Sequence, residues 1–387
     1  KNIHDSVGHH AGDRLLVEVA ARVQHCVRGS DTVARLSGDE FVILLPRLLS
    51  PDVTTIAGKL VEALSAPYRI GERELRTAPS VGISLCPRDA QDVETLIKYA
   101  DTAMYAAKAK GGGRFQYFSP EMNQAATERL LIECRLREAI DHGRLALHYQ
   151  PKIDMAGRLT GLEALLRLEI EGASPMRTAQ YIAVAEESSL IDELGDWVIA
   201  AVCRQLRAWL DDGIRPPRVA INLSTRQLRQ HDLAMRVAHR LNEAAVAPDL
   251  LEFEVTETAA MENPATAARR LDELGAMGVT LSIDDFGTGY SSLSHLRSLP
   301  LDALKIDHSF VRDIASDASD LAIARGTIAL AHSLGLRVVA EGVETMAQWQ
   351  LLRDHGCDEV QGYLIARPAP AEDLAGILSM GRIALPV

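Results

Sequence analysis

The sequence has few aromatic residues and no long apolar run. Aromatic residues make up 4% of the chain, so the core has to be built mainly from Leu, Val, Ile and Ala. No stretch approaches the roughly 18 consecutive apolar residues that a transmembrane helix needs. We expect this segment to be cytoplasmic, with any membrane anchor of a longer protein lying upstream of it.

Positive charge is also scarce. The 41 Lys and Arg residues stand against 53 Asp and Glu residues, which gives a net charge of −12 and argues against nonspecific binding of nucleic acid or anionic membranes. A ligand that carries phosphate would therefore need metal ions or a local cluster of Arg and Lys. The five cysteines are scattered without metal-site or redox spacing, which is typical of reduced thiols.

The chain has a globular composition and enough length for two domains. Its 387 residues are 47% hydrophobic and 24% charged. The first part alternates short strands and helices, Ser119-Pro120 marks a break, and a helical pattern then runs to Gly143. We predict an N-terminal α/β domain over residues 1–120, a linker helix over residues 121–143 and a C-terminal domain over residues 144–387.

Short apolar runs alternate with helical stretches throughout the C-terminal domain. The runs cover residues 147–153, 162–168, 219–223, 251–255, 279–283, 303–306, 337–340 and 359–363. This pattern predicts a (β/α)₈ barrel of the TIM type. A doubly wound open sheet is the competing architecture. It is less favoured, because chemically distinctive residues lie at the ends of nearly all runs and not at a single crevice.

Acidic, amide and basic residues lie in these apolar runs or directly after them. They are Glu163, Asn222, Glu254, Asp284, Asp285, Lys305 and Glu341. A buried carboxylate is costly unless it is paired or bound to a metal, and the strand ends of a barrel converge on one face. Such a set suits two hard divalent cations, and the adjacent pair Asp284-Asp285 could bridge them. For any one of these acids alone, a helix cap or a salt bridge remains the alternative.

Four motifs in the C-terminal domain resemble the signatures of EAL-domain cyclic-di-GMP phosphodiesterases. They are Glu163-Ala164-Leu165-Leu166-Arg167, the Gly- and Ser-rich stretch 284–293, Lys305-Ile306-Asp307 and Glu341-Gly342-Val343-Glu344. The N-terminal domain resembles the GGDEF domain of diguanylate cyclases. The motifs there are Gly8-His9, Gly12-Asp13, Ser37-Gly38-Asp39-Glu40-Phe41 and Ala103-Met104-Tyr105.

The EAL resemblance implies two bound Mg²⁺ or Mn²⁺ ions that activate water for attack on phosphorus. It assigns one ion to Glu163, Asn222, Glu254 and Asp284, and the other to Asp284, Asp285 and Glu341. The implied reaction opens one phosphodiester of cyclic di-GMP to give linear 5′-pGpG.

The same resemblance implies roles for the residues around the metals. Lys305 would orient the water or act as base, with Glu341 and Glu163 as its catalytic neighbours. The remaining roles are a phosphate contact for Arg167, a contact to the water or the substrate for Gln361, a place in the substrate groove for Gln150 and an anchor of the 285–293 loop for Glu257.

The GGDEF resemblance is incomplete. The first strand of that domain would precede Lys1, His4 stands where the family has an asparagine, and Ser37 replaces the first glycine of the signature. Asp39 and Glu40 match metal and catalytic positions, and Phe41 completes the signature. We therefore expect a regulatory domain that could bind GTP and not a cyclase.

Arg28-Gly29-Ser30-Asp31 resembles the inhibitory product-binding motif of GGDEF domains. Arg28 and Asp31 together suit a guanine edge and a phosphate. The alternative is an ordinary surface pair.

Two other functions stay open at the level of sequence. One is a receptor that binds cyclic di-GMP without cleaving it, which is disfavoured because every candidate metal ligand is present. The other is a bifunctional cyclase and phosphodiesterase in a longer protein. The resemblance further implies a homodimer formed through residues 294–307 of the EAL domain, where Leu296 and Leu299 are the apolar candidates.

Overall fold

The chain divides into two compact units, residues 1–131 and 132–387. The computed structural model describes residues 9–48, 50–70, 73–168, 175–289 and 293–383. None of the helices within these ranges is both long enough and apolar enough to cross a membrane.

The described residues of the first unit that precede Pro120 form short strands and three helices. Its helices are α1 (His9–Cys26), α2 (Ser50–Ser65) and α3 (Val93–Ala109). Its strands are β1 (Thr32–Ser37), β2 (Glu40–Leu44), β3 (Tyr68–Ile70), β4 (Arg73–Leu75), β5 (Ser80–Ile83) and β6 (Arg114–Tyr117).

The described strands of the first unit form separate two-stranded sheets. The strand pairs β1–β2 and β3–β4 are antiparallel hairpins, whereas β5 and β6 are parallel. Gly82 lets α3 lie directly on β5, since a Cβ there would stand 1.9 Å from the carbonyl oxygen of Ala100. Val53, Ala57 and Ile83 form the buried centre of this unit.

A long helix, α4 (Pro120–Asp141), runs across the boundary between the two units in the sequence. Its buried residues are Leu136 and Ala139, near its carboxyl end. The helix closes at Gly143, whose φ of +65° is readily adopted by glycine.

The second unit contains a closed barrel of eight strands. The strands are β7 (Leu145–Asp154), β8 (Leu159–Leu168), β9 (Arg218–Leu223), β10 (Leu251–Thr256), β11 (Thr280–Phe286), β12 (Ala303–Ile306), β13 (Arg337–Ala340) and β14 (Glu359–Gln361). They close in the order β10-β11-β12-β13-β14-β7-β8-β9. Each of the eight apolar runs in the sequence corresponds to one strand, which confirms the predicted barrel and excludes the open sheet.

Helices follow most of these strands. They are α5 (Pro175–Glu187), α6 (Leu190–Asp211), α7 (Thr225–Leu228), α8 (Leu233–Ala244), α9 (Glu257–Glu262), α10 (Pro264–Gly275), α11 (Leu293–Leu296), α12 (His308–Arg312), α13 (Ala318–Ser333), α14 (Met346–Asp354) and α15 (Ala375–Met380), with 3₁₀ turns at Pro248–Leu250 and Ala371–Leu374. Capping boxes begin α7 and α14, where Ser224 pairs with Gln227 and Thr345 with Gln348.

The connection between the first two barrel strands differs from the expected alternation of strands and helices. Strand β7 runs antiparallel to both of its neighbours, β8 and β14, while the other pairs are parallel. Only residues 155–158 separate β7 from β8. A connection this short forms a hairpin and cannot hold a crossover helix, which a parallel pair requires.

Alternation along the strands places apolar side chains outside and polar side chains inside the barrel. In β10, Leu251, Phe253 and Val255 join the large apolar cluster with the surrounding helices. Between them, Glu252 and Glu254 bond to side chains of other barrel strands. A barrel interior is ordinarily filled by branched apolar residues, so these buried charges mark the site.

Candidate active site

Lys305 lies at the centre of the polar interior. Its side chain is fully buried on β12, and Nζ is 2.5 Å from Glu341 Oε1, 2.7 Å from Glu254 Oε2 and 3.2 Å from Asp284 Oδ2. Glu163 Oε2 is 4.0 Å away. The structure thus brings together carboxylates from β8, β10 and β11 and from the residue after β13, around one ammonium group.

The adjacent residues Asp284 and Asp285 face the same site because β11 bulges. The register against β12 shifts between Ile283 and Phe286, and Asp285 has a φ of +53°. In a regular strand, neighbouring side chains point to opposite faces. The bulge and the left-handed backbone instead bring ligand oxygens of Asp284, Asp285 and Glu341 within 4.8 Å of one another.

The electrostatics of the cluster show an excess of negative charge. Burial and the carboxylates of Asp284, Glu163 and Glu254 raise the pKa of Glu341 well above its usual range, although Lys305 opposes the shift. Burial, with Asp284 and Asp307 nearby, raises the pKa of Asp285 to about 6.

The pKa of Glu254 shifts in the opposite direction. Burial alone would raise its pKa, but the ammonium groups of Lys152 and Lys305 outweigh burial and lower the pKa to about 2. The two lysines therefore favour the ionised form of Glu254, which is the form that binds a cation.

The donor set fits divalent cations. Lys305 is surrounded by four carboxylates, and Asp285 adds a fifth at the same mouth. Oxygen ligands in this number are what Mg²⁺ and Mn²⁺ prefer, and a buried excess of like charge is stable only with added positive charge. Asn222 donates from Nδ2 to Glu163 Oε1 at 2.9 Å, which leaves its amide oxygen as the ligand atom.

Two glutamines connect the last strand to Glu163. Gln361 Nε2 donates to Glu163 Oε2 at 2.6 Å and to Gln150 Oε1 at 3.0 Å, and Gln150 Nε2 donates to the carbonyl of Ala366 at 3.1 Å. Both glutamines are almost fully buried. Among the described residues Gln361 Oε1 has no hydrogen-bond partner, so it is an acceptor directed at whatever occupies the site.

Arg167 is half-buried near the end of β8. Its Nη1 donates to the carbonyl of Leu166 at 2.8 Å. Burial lowers its pKa, while Tyr363 and Glu163 oppose that shift, which places the guanidinium near both of these residues. It offers a cation at the rim, where a phosphate would approach.

Glu257 holds the start of the 285–293 loop. Its carboxylate is buried, and Oε2 accepts from the backbone N–H of Gly287 at 2.8 Å. The other oxygen lies against Gly289, where a Cβ would stand only 2.8 Å from Oε1. Residues 290–292 of this loop lie outside the described ranges.

Two buried charged residues that contact this cluster were not identified from the sequence. Lys152 and Glu252 lie within predicted strands, and both contact the cluster. The sequence does contain a pattern that could have identified them. Lys152 is two residues from Gln150, and Glu252 is two residues from Glu254. Residues two apart in a strand point to the same face, so each of these residues faces the site together with a predicted site residue.

The candidate residues of the first unit lie on an exposed turn and hairpin. Asp31 Oδ2 accepts from the backbone N–H of Arg28 at 2.7 Å, so this contact does not involve the guanidinium. Gly38 and Asp39 form the turn between β1 and β2, and Ser37 Oγ donates to Glu40 Oε2 at 2.9 Å. Phe41 lies in β2, partly buried, whereas His4 and Gly8 lie outside the described ranges.

Two family models match the chain. The model described as "EAL domain" matches residues 133–368. The model described as "Diguanylate cyclase, GGDEF domain" matches residues 1–114.

Curated relatives match almost the whole chain. The bifunctional diguanylate cyclase/cyclic di-GMP phosphodiesterase MucR of Pseudomonas aeruginosa is 44% identical over 375 residues, which cover 97% of this chain and 55% of MucR. The cyclic di-GMP phosphodiesterase PdeR of Escherichia coli is 40% identical over 371 residues, covering 96% of this chain and 56% of PdeR. The chain thus spans about half the length of the curated relatives it matches.

Solved structures match the second unit. The structure described as "PaMucR Phosphodiesterase, c-di-GMP complex" has a TM-score of 0.60 at 43% identity, covering 63% of this chain and 99% of that one. The EAL domain of Mycobacterium smegmatis DcpA has a TM-score of 0.54 at 38% identity, covering 62% of this chain and 100% of that one. With the barrel, the acidic cluster and the match over residues 133–368, the chain belongs to the EAL domain family and carries a GGDEF domain before it.

Proposed function

We propose that the second unit hydrolyses one phosphodiester of cyclic di-GMP to give linear 5′-pGpG. The observation that carries this proposal is the convergence of Glu163, Glu254, Asp284 and Glu341 on the buried Lys305 at one end of the barrel. The names of MucR and PdeR as cyclic di-GMP phosphodiesterases support the substrate.

The donor set supports two divalent cations, Mg²⁺ or Mn²⁺. Glu163, Asn222, Glu254 and Asp284 would hold one, and Asp284, Asp285 and Glu341 would hold the other. When bound, such ions lower the pKa of water and stabilise the charge that develops on phosphate oxygens.

Lys305 serves in this proposal as a cationic donor and not as a general base. Burial alone would lower its pKa, but the carboxylates of Asp284, Glu163, Glu254 and Glu341 outweigh burial and raise it well above the usual value. Without bound metal these carboxylates thus favour the protonated ammonium form, which suits Lys305 to orient the attacking water and to stabilise negative charge.

The other side chains bind and orient. Gln361 Oε1 accepts a hydrogen bond from the attacking water, because Nε2 already donates to Glu163 and Gln150. Arg167 donates to a phosphate oxygen at the rim. Glu257 fixes the loop that follows Asp285 through its bond to the Gly287 N–H. Gln150 acts mainly by accepting the hydrogen bond that holds Gln361 in place. A residue that only lined the substrate groove would not need this contact.

We further propose that the GGDEF unit is regulatory and that GTP is its ligand. A homodimer through residues 294–307 is also proposed, with one constraint from the structure. Leu296 and Leu299 are only 1% and 7% exposed, and both belong to the large apolar cluster of the second unit. An interface there would use exposed polar residues such as Arg297 and Ser298.

The activity is tested by incubating purified protein with cyclic di-GMP and Mg²⁺ or Mn²⁺ and separating the products by chromatography. Wild type should produce pGpG, whereas Glu163→Ala and Lys305→Ala should lose turnover. Glu243→Gln, which removes an exposed carboxylate paired with Arg240, is the matched control and should retain it. Binding of cyclic di-GMP without any pGpG would replace the enzyme with a receptor, and equal turnover by Glu163→Ala would refute the metal assignment.

A further inference from the structure

A second buried lysine lies beside the cluster. The side chain of Lys152 is 1% exposed, and its Nζ is 2.6 Å from Glu254 Oε1 and 3.4 Å from Glu252 Oε1. Glu252 in turn accepts a hydrogen bond of 2.9 Å from Ser282 Oγ. Lys152 lies on β7 and Glu254 on β10, which are not neighbours in the ring, so this ion pair spans the inside of the barrel.

Glu254 is held on both oxygens. Lys152 occupies Oε1, while Oε2 faces Lys305 at 2.7 Å, on the side of Asp284. The bond to Lys152 therefore fixes the plane of the carboxylate and leaves Oε2 as the oxygen that faces the other candidate ligands. Without Lys152, the carboxylate of Glu254 would be held only through Oε2.

Stability alone does not account for this arrangement. Burying a lysine and two glutamates carries a large desolvation cost, and well-packed apolar residues of similar volume are often as stable as a buried ion pair. Groups that hold a metal ligand from behind act differently, because they set its orientation and its charge.

We propose that Lys152 is a positioning residue for the metal site and acts through Glu254, with Glu252 and Ser282 fixing the place of its ammonium group. This inference rests on the proposed function only in taking Glu254 as a metal ligand. Lys152 makes no contact with the substrate in this proposal.

The test compares three variants with wild type. Lys152→Met keeps the length and the apolar character of the stem but removes the charge. Glu252→Gln keeps the bond between Lys152 and Glu254. The double variant Lys152→Met/Glu252→Gln removes the charges of both residues, so less negative charge is left without a partner than in Lys152→Met alone. Binding of Mn²⁺ alone is measured by calorimetry without substrate, thermal unfolding is measured in the metal-free state, and kcat and KM are measured at saturating Mn²⁺.

The expected result separates positioning from packing. Lys152→Met should raise the dissociation constant for Mn²⁺ by about 10- to 100-fold, the usual cost of losing an outer partner of a metal ligand. It should also lower kcat while leaving KM for cyclic di-GMP near the wild-type value. Glu252→Gln should change the dissociation constant less than Lys152→Met does. The double variant should regain thermal stability relative to Lys152→Met but not affinity for Mn²⁺.

Several outcomes would overturn the proposal. A folded Lys152→Met with wild-type affinity for Mn²⁺ would refute it, as would a double variant that recovers affinity together with stability. If neither variant with Met at this position folds, Lys152 has a structural role instead. Mn²⁺ affinity that falls as expected in a protein without turnover of cyclic di-GMP would support the positioning role and refute only the proposed function.

Discussion

Gln361 Nε2 lies 2.6 Å from Glu163 Oε2, although 198 residues separate the two in the sequence. They are on β14 and β8, the two strands that flank β7 in the ring. Closure of the barrel therefore brings Gln361 of the last strand to Glu163, a candidate ligand on the second strand, and the hydrogen bond orients the Glu163 carboxylate.

Replacement of Gln361 by Glu should abolish this orientation. The variant loses the donor and places a new carboxylate beside Glu163, so we expect kcat to fall by about 10- to 100-fold or more. Steady-state assays with cyclic di-GMP measure the effect, and circular dichroism confirms folding. An unchanged kcat would show that the contact between Gln361 and Glu163 has no part in catalysis.

Gly362 should not tolerate a side chain. A Cβ at this position would stand 2.2 Å from the carbonyl oxygen of Val343, a backbone atom that accepts from the Leu364 N–H at 3.0 Å. Gly362→Ala should destabilise the protein by about 1–3 kcal/mol, the usual cost of overpacking, and should displace Gln361. Urea unfolding and activity assays test both effects. Gly376→Ala is the matched control, because nothing lies within 4 Å of its Cβ, and it should be neutral or slightly stabilising.

Asp285 combines a proposed ligand role with a left-handed backbone conformation. Asp285→Asn should keep the fold, since Asn adopts positive φ readily, but it should lower activity by about 100-fold because a ligand charge is lost. Asp285→Ala should lose activity and should also be less stable by about 1–2 kcal/mol, because the left-handed backbone conformation is unfavourable for Ala. Equal stability of the Asn and Ala variants would contradict the role given to the backbone.

Divalent metal should stabilise the protein against unfolding. A ligand that binds only the folded state adds about 2.7 kcal/mol at 100 times its dissociation constant. Thermal unfolding with and without Mn²⁺ should therefore show a clear rise in Tm for wild type. Glu163→Ala should show a smaller rise, while Glu243→Gln should match wild type. A Tm that does not respond to Mn²⁺ in wild type would refute the metal site.

Apolar patterning was sufficient to predict the barrel but not its first connection. Runs of Leu, Val and Ile marked all eight strands, because these strands are buried on their outer face against helices. The direction of β7 depends on the length of the link after Asp154, and the boundaries of a run do not define a link of four residues well.

The site was predictable in its residue types and less so in its geometry. Carboxylates in apolar runs have few structural explanations, so Glu163, Glu254 and Asp284 stood out. The orientation of Asp285 depends on a bulge opposite Leu304 and Ile306, which is a property of strand pairing and not of local sequence. Lys152 and Glu252 were overlooked because no family motif covers them and the sequence does not reveal their pairing across the barrel.

The antiparallel first strand determines where the polypeptide enters the barrel. Leu145 pairs with Leu168, the last residue of β8, so the chain arrives at the rim that bears Arg167. With eight parallel strands it would arrive at the opposite end. Leu136 and Ala139 of α4 pack with Leu145, Leu166 and Leu168 in one cluster. A movement of this segment of the helix would therefore act at the end of the barrel that bears the candidate active site, without having to pass through the barrel.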